Sequence, residues 1–222
     1  ENKGNFRLNR GSGHWTDVPT SMSFFGQTSI SGGKKDDRTL APKLKSLGYT
    51  PVKPENVRVP PQYPDIPEVR EKIAGHYNSI LQTDYELGVL IQSLKDDDRW
   101  KNTIIFLFSD HGSNLPRSKE FCYEEGLHVP LIISGPGAQD KIAPGTRRKD
   151  LVNLLDISAT ALSLAGMRIP PFMDSKNVFA DDYSRNYVFS SADRMSNVID
   201  RVRSVMGLSL IHISEPTRQS KI

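Results

Sequence analysis

Thr103-Ile104-Ile105-Phe106-Leu107-Phe108-Ser109-Asp110-His111-Gly112 is the stretch on which the fold turns. Five apolar residues run without a break and stop at Ser-Asp-His-Gly. Such a run, bounded by turn residues, predicts a strand buried on both faces. In an open α/β sheet, ligands bind just beyond the carboxyl ends of the strands, and Asp110 and His111 stand there. A carboxylate oxygen and an imidazole nitrogen both ligate divalent cations, and Gly112 lets the backbone turn away at once. Two adjacent ligands make half a metal site. The alternative is a polar Asp-His turn that holds no metal.

Downstream, a loop from Ser113 to Tyr123 carries Arg117 and Lys119. Glu124-Glu125-Gly126-Leu127-His128 then leads into Val129-Pro130-Leu131-Ile132-Ile133-Ser134, a second buried strand closed by the turn Gly135-Pro136-Gly137. Residues 138–149 are polar and basic. Ser158 to Ala165 predicts a helix closed by Gly166 at C′, and Asn186 to Ser190 a short strand. Upstream, Val69, Ile73, Tyr77, Ile80, Leu81, Leu87, Leu90, Ile91 and Leu94 recur at helical spacing. They predict a helix from Pro67 to about Lys95 with one buried face, ended by Asp96-Asp97-Asp98. Asp84 falls on that face and reads as a satisfied structural acid outside the site. Six prolines between 50 and 67 predict an extended surface connection. Ser23 to Ile30 reads as a strand, followed by Ser31-Gly32-Gly33-Lys34-Lys35. That glycine turn is either an anion-holding loop or a plain surface loop. Strands alternating with helices imply an α/β fold with a mostly parallel central sheet flanked by helices. Strand ends near Lys34, Asp110 and the turn after Ser134 would then face one cleft.

Composition narrows the function classes. The 222 residues suit one domain or a large part of one. The hydrophobic fraction of 36% and charged fraction of 25% are those of a globular chain. A net charge of +3, with no run of basic residues alternating with aromatics, argues against a nucleic-acid partner. No apolar run approaches the roughly 18 residues of a membrane span. The single cysteine, Cys122, excludes an internal disulfide and a cysteine metal cluster.

The chain resembles the sulfatase family of the alkaline-phosphatase superfamily across roughly residues 22–206. The resemblance rests on stretches in the family's order: Ser23-Phe24-Phe25, Asp84-Tyr85-Glu86-Leu87-Gly88, and Asn102-Thr103-Ile104-Ile105 through Gly112. It continues with Tyr123-Glu124-Glu125-Gly126-Leu127-His128-Val129-Pro130-Leu131-Ile132-Ile133, Asp150-Leu151-Val152 and Asp156-Ile157. Ser191-Ala192-Asp193-Arg194 with Asp200 to Val205 looks most like the heparan N-sulfatase-like branch. The resemblance implies a metal-assisted sulfuric ester or sulfamate hydrolase acting on sulfated glycans. It implies Asp110 and His111 as one pair of Ca2+ ligands, Lys119 as a sulfate-binding cation, and Lys34 where many members carry a leaving-group histidine. With a reference pKa of about 10.4, a lysine there binds sulfate but is a poorer proton donor. His128 stands where the family often has arginine and is given no chemistry. Family members act outside the cytosol, so the parent protein is expected to be secreted, periplasmic or lysosomal.

Two departures accompany the resemblance. The family's formylglycine arises from a Cys/Ser-x-Pro-x-Arg motif preceded by an Asp-Asp calcium pair, both upstream of the Phe-Phe stretch. Neither is expected in this chain. Cys122 is followed by Tyr-Glu-Glu and reads as a partly buried, inert thiol. Residues 1–206 are therefore expected to be the downstream part of a sulfatase catalytic domain, inactive alone. Residues 207–222 read as a non-native tail, with a divergent strand as the alternative. Two other functions stay open: a phosphodiesterase or phosphonate hydrolase of the same superfamily, and a non-catalytic anion-binding module.

Overall fold

Leu40 and Leu44 stand four apart and share one face of a helix. In the computed structural model, which describes residues 15–30, 40–195, 198–207 and 210–216, they form the buried side of α1 (Leu40–Ser46). Pro42 lies in the first turn of α1, where an N–H has no helical acceptor to lose. α2 (Pro67–Asp96) is the long helix that the spacing predicts. Ile66 is extended at φ −125° and ψ 159°, the state imposed by a following proline at N1. At the other end Asp97 caps the helix and Asp98 turns left-handed at φ 54°.

The buried side of α2 differs from the expected one. Ile73, Ala74, Asn78, Ser79, Gln82 and Leu94 are buried, whereas Tyr77 and Ile80 are 42% and 44% exposed. The helix packs on both α1 and the proline-rich segment, so two partners select its buried positions. Asn78 is drawn inside because its amide pairs with Val52 in both directions, accepting from Val52 N at 2.8 Å and donating to Val52 O at 3.1 Å. Asp84, placed on the buried face by spacing, is exposed and accepts from Tyr49 Oη at 2.8 Å.

The proline-rich segment is irregular apart from one 3-10 turn, Pro54–Asn56. Val57 is buried with Ile73 and Ala74, and Val52, Val59, Val69 and Leu115 pack around them. Burying an aliphatic side chain of this size contributes about 1.5–3 kcal/mol. Arg70 ties the segment to α2, donating to Asp65 Oδ2 at 2.7 Å and to the carbonyls of Pro54 and Val57. Its guanidinium holds the Asp65 carboxyl below the usual carboxylate range.

The two apolar runs form β1 (Ile105–Phe108) and β2 (Leu131–Ser134). They pair antiparallel, Ile105 opposite Ser134 and Phe108 opposite Leu131. β3 (Tyr187–Met195), β4 (Val198–Gly207) and β5 (Leu210–Pro216) form a second sheet in that order, also antiparallel. The fold is α/β; the expected mostly parallel sheet is not shown among the described residues, where every strand pair is antiparallel. A continuous apolar run encodes burial, not direction. Direction follows from the connection, and residues 109–130 hold only the four-residue helix α3 (Glu124–Leu127). Parallel neighbours are usually joined by a much longer crossover helix. Ser23 to Ile30 forms no strand: it is irregular, and Phe25 is 65% exposed. Strand-like composition does not supply the ladder partner that satisfies an extended backbone. Within the stretch read as a tail, residues 210–216 lie on β4 as β5.

α4 (Asp156–Leu164) ends at Ala165 with Gly166 at φ 69°, as predicted. Its first residue, Asp156, is fully buried. The carboxylate accepts from Asn153 N at 3.1 Å, Lys176 N at 2.8 Å, Tyr183 Oη at 2.7 Å and Arg185 Nε at 2.7 Å. A second Arg185 nitrogen, Nη2, completes a bidentate pair. Burial pushes this carboxyl up, but the Arg185, Lys176, Tyr183 and Asn153 donors outweigh it and hold it below the ordinary value. Arg148 stacks its guanidinium 5.0 Å from the Tyr183 ring and bonds Asp150 and Val178 O. The cluster fastens residues 148–156 to residues 174–185.

Candidate functional site

Antiparallel pairing decides what stands beside Asp110. β2 begins where β1 ends, and Ser109 N donates to Pro130 O at 3.4 Å. The segment that precedes β2 therefore flanks Asp110, His111 and Gly112. The turn after Ser134, expected at this cleft, lies at the other end of β1, where Gly137 N donates to Thr103 O at 3.1 Å. Gly135, at φ 108°, sits so close to Thr103 O that a Cβ there would collide with it. The expectation of three strand ends at one cleft is corrected on this point. Lys34 lies outside the described residues.

Asp110 and His111 are brought together, with His111 Nε2 3.5 Å from Asp110 Oδ1. The Asp110 side chain is 83% exposed and that of His111 30%. His111 Nδ1 lies 2.7 Å from Gly112 O. A carbonyl only accepts, so Nδ1 carries the proton, and in the neutral ring Nε2 keeps its lone pair. Metal-ligating histidines are commonly held in this way, with the other ring nitrogen donating to a carbonyl. Ser109 Oγ donates to His111 O at 2.6 Å and fixes the turn. The pair offers one oxygen and one nitrogen to a divalent cation, and the donor chemistry fits. Among the described residues no group of three or more His, Cys, Asp or Glu side chains gathers at one point, so the pair supplies two donors and no third side chain of these types stands beside it.

The loop after Gly112 folds back on itself. Leu115 reaches the core around Ile73, and Lys119 N donates to Ser113 O at 3.0 Å. The Lys119 ammonium lies 3.5 Å from Glu120 Oε1. Arg117 stacks 4.4 Å from the Tyr123 ring, which lies over Phe121 at 5.8 Å. The proline-rich segment buttresses the loop: Tyr63 Oη donates to Pro116 O at 2.7 Å, and Gln62 Nε2 to Glu125 Oε1 at 2.8 Å. Burial, with the Glu125 charge, raises the Tyr63 hydroxyl above its usual pKa. Cys122 is 7% exposed, and burial pushes its thiol up, in keeping with an inert residue. His128 is exposed and pairs with Glu124 Oε1 at 2.7 Å.

Three features of the site escaped the sequence. Ser118 is 1% exposed and bonds Glu125 O. Gly126 packs so tightly that a Cβ would collide with Ser118 O and Phe121 O. The Gln62 and Tyr63 buttress joins segments far apart in the chain. Only the small residue sizes signalled this packing. The literal spacing Ser-x-Pro-x-Arg also occurs once, at Ser214-Glu215-Pro216-Thr217-Arg218, downstream rather than upstream. Ser214 is a β5 position opposite Ser204 of β4, so it belongs to a sheet and not to the loop at Asp110.

Comparisons with known proteins find the following similarities. An ulvan-active sulfatase of Formosa agariphila is 34% identical over 150 residues, covering 66% of this chain and 24% of that protein. Arylsulfatase K of Gallus gallus is 39% identical over 107 residues, covering 46% of this chain and 19% of that protein. The chain thus spans about a quarter or less of the length of these curated relatives. A solved structure from work on glycosaminoglycan metabolism by Bacteroides thetaiotaomicron superposes with a TM-score of 0.44 at 20% identity, covering 62% of this chain and 33% of that one. The family model described as Sulfatase matches residues 15–167, well over half of the chain, and with it the Asp110–His111 turn and the Lys119 loop: the chain belongs to the sulfatase family.

Proposed function

We propose that this chain carries the metal- and sulfate-binding side of a hydrolase for sulfate esters or sulfamates on sulfated glycans. The observation that carries this reading is the Asp110–His111 pair at the end of β1, with Nε2 left free to ligate. In this reading Asp110 and His111 hold a divalent cation, which when bound withdraws charge from a sulfuryl oxygen. Ca2+ is the cation that the family resemblance implies. Calcium prefers oxygen donors, so Asp110 is its stronger partner and His111 favours a softer cation. The Lys119 ammonium offsets charge building on the sulfuryl group and the leaving atom. Lys34 adds a second cation for sulfate, and its high intrinsic pKa suits it to charge stabilisation rather than proton donation. The nucleophile is a formylglycine in the whole enzyme, and the chain alone does not turn over sulfate esters. The name of the ulvan-active relative supports a sulfated glycan as substrate. A secreted, periplasmic or lysosomal location goes with that substrate class. β1 and β2 would join a larger, mostly parallel central sheet in the whole protein.

The test is calorimetric titration of the chain with CaCl2, MgCl2 and MnCl2, alongside Asp110→Ala and His111→Ala. Saturable binding that is lost in Asp110→Ala is expected. A folded wild-type chain that binds none of the three overturns the cation reading. Hydrolysis of 4-nitrophenyl sulfate by the pure chain would overturn the inactivity.

A further inference from the structure

Lys119 is carried on a loop built around one buried hydroxyl. Ser118 Oγ donates to Glu125 O at 2.7 Å and accepts from Ser113 Oγ at 3.1 Å. Ser113 holds the loop a second time, its Oγ accepting from Leu115 N at 3.3 Å and its carbonyl from Lys119 N at 3.0 Å. Ser118 O accepts from Phe121 N at 3.2 Å. The residues around Lys119 leave ordinary backbone space: Arg117 has φ 63° and Glu120 φ 74°. Side chains with a Cβ leave the left-handed region unless their surroundings hold them there. Ser118 stands between these two positions and bonds across to the far side of the loop. Gly112 leaves the room for this closure, since a Cβ on it would collide with both Ser118 Oγ and Glu125 O. The same serine therefore locks the Lys119 backbone and abuts the residue that follows His111.

We propose that Ser118 is a positioning residue for Lys119. Its hydroxyl closes residues 113–119 onto Glu125 and, through its contact with Gly112, holds the backbone that carries Lys119 in one geometry. The ammonium then meets an incoming sulfate without first ordering the loop, which removes an entropic cost from binding. Without the hydroxyl, Arg117 and Glu120 relax out of the left-handed region and Lys119 samples many positions. The role rests on the reading of Lys119 as the sulfate-binding cation.

The test uses the 222-residue chain, 15N-labelled, with magnesium chloride in excess. Sodium sulfate is titrated against sodium chloride at matched ionic strength, and amide exchange is followed at Lys119, Phe121 and Ala165. Ser118→Ala is expected to weaken sulfate binding about five- to tenfold, the loss of one buried hydrogen bond. It is also expected to speed exchange at Lys119 and Phe121 while Ala165, the C-cap of α4 whose N–H bonds Ala161 O, stays protected. Unchanged sulfate affinity in Ser118→Ala, with Lys119→Ala weakened, overturns this role and leaves the sulfate reading intact. Unchanged affinity in Lys119→Ala overturns both. If Ser118→Ala exposes Ala165 as well, Ser113→Ala decides, because it removes the bonds to Ser118 Oγ and Leu115 N and leaves the buried Ser118–Glu125 bond in place. Weaker sulfate binding with Ala165 protected upholds the role, and wild-type affinity overturns it.

Discussion

Replacing Asp156 with alanine should be the most damaging single change outside the loop. The carboxylate is fully buried and is the shared acceptor of two backbone amides, a tyrosine hydroxyl and a bidentate arginine. Its removal strands the Arg185 guanidinium, whose side chain is only 15% exposed. Breaking a buried pair from one side costs about 3–5 kcal/mol, because the remaining charge stays desolvated without its partner. Domains of ordinary stability hold about 5–15 kcal/mol in total. The expected fall in Tm is about 6–20 °C, at about 2–4 °C per kcal/mol for a chain of this size. Urea and thermal unfolding of wild type, Asp156→Ala, Arg185→Met and the double variant Asp156→Leu with Arg185→Met would measure it. The double variant should be more stable than either single charge deletion, since it removes both desolvation costs at once. The pH dependence has a definite sign. The folded carboxyl is held below its unfolded value of about 3.9, so its contribution is full above that value and is lost as pH falls through the folded one. The gap between wild type and Asp156→Ala should be flat from pH 8 to about 5 and shrink below about 4. A difference under about 1 kcal/mol at pH 7, the size of one ordinary hydrogen bond, would refute the claim that this cluster fastens residues 148–156 to 174–185.

Other substitutions test the packing directly. Gly112→Ala and Gly126→Ala should each destabilise by about 1–3 kcal/mol, the range for forced overpacking, because their new Cβ atoms meet backbone that has little room to give. Chemical denaturation measures it, and a neutral result would mean the loop is looser than described. Gly88→Ala should do the opposite: it lies inside α2 with nothing within 4 Å of its Cβ position, so helix propensity alone should add about 0.5–1 kcal/mol. A lower Tm for that variant would show that something packs on Gly88. Tyr183→Phe removes one donor from Asp156 and should cost about 1 kcal/mol in the same unfolding assay.

Local patterns were legible and tertiary choices were not. α2 announced itself through proline at its start, three aspartates at its end and helical spacing between, and α4 through its closing glycine. The positions of β1 and β2 followed from apolar runs, but their antiparallel sense did not, because both directions bury the same residues. That one unknown moved the Ser134 turn away from Asp110 and put the Ser118–His128 segment there instead. That Asp110 and His111 stand together past the end of β1 was readable because they are adjacent and follow an apolar run. Ser118 was not, since a buried serine looks like a surface one until its acceptor, Glu125 O, is known. Asp156 was likewise not read as a buried anchor or as the start of α4, since the predicted helix begins at Ser158 and nothing in residues 150–157 points to Arg185.

The hairpin of β1 and β2 bears on how such a site can change over time. Its two strands are tied by register, Ile105 to Ser134 through Phe108 to Leu131, so the strands tolerate no slip. The connecting chain is under a much weaker constraint, as doubling a flexible loop costs only about 0.6 kcal/mol in closure entropy. Asn114 is exposed and precedes the first buttressed carbonyl, Pro116 O. Residues inserted there would lengthen the rim without entering the Asp110–His111 turn or the Ser118–Glu125 bond, at the cost of the bond between Leu115 N and Ser113 Oγ. A lineage could thus reshape the rim by changing loop length while Asp110 and His111 stay in place at the end of β1.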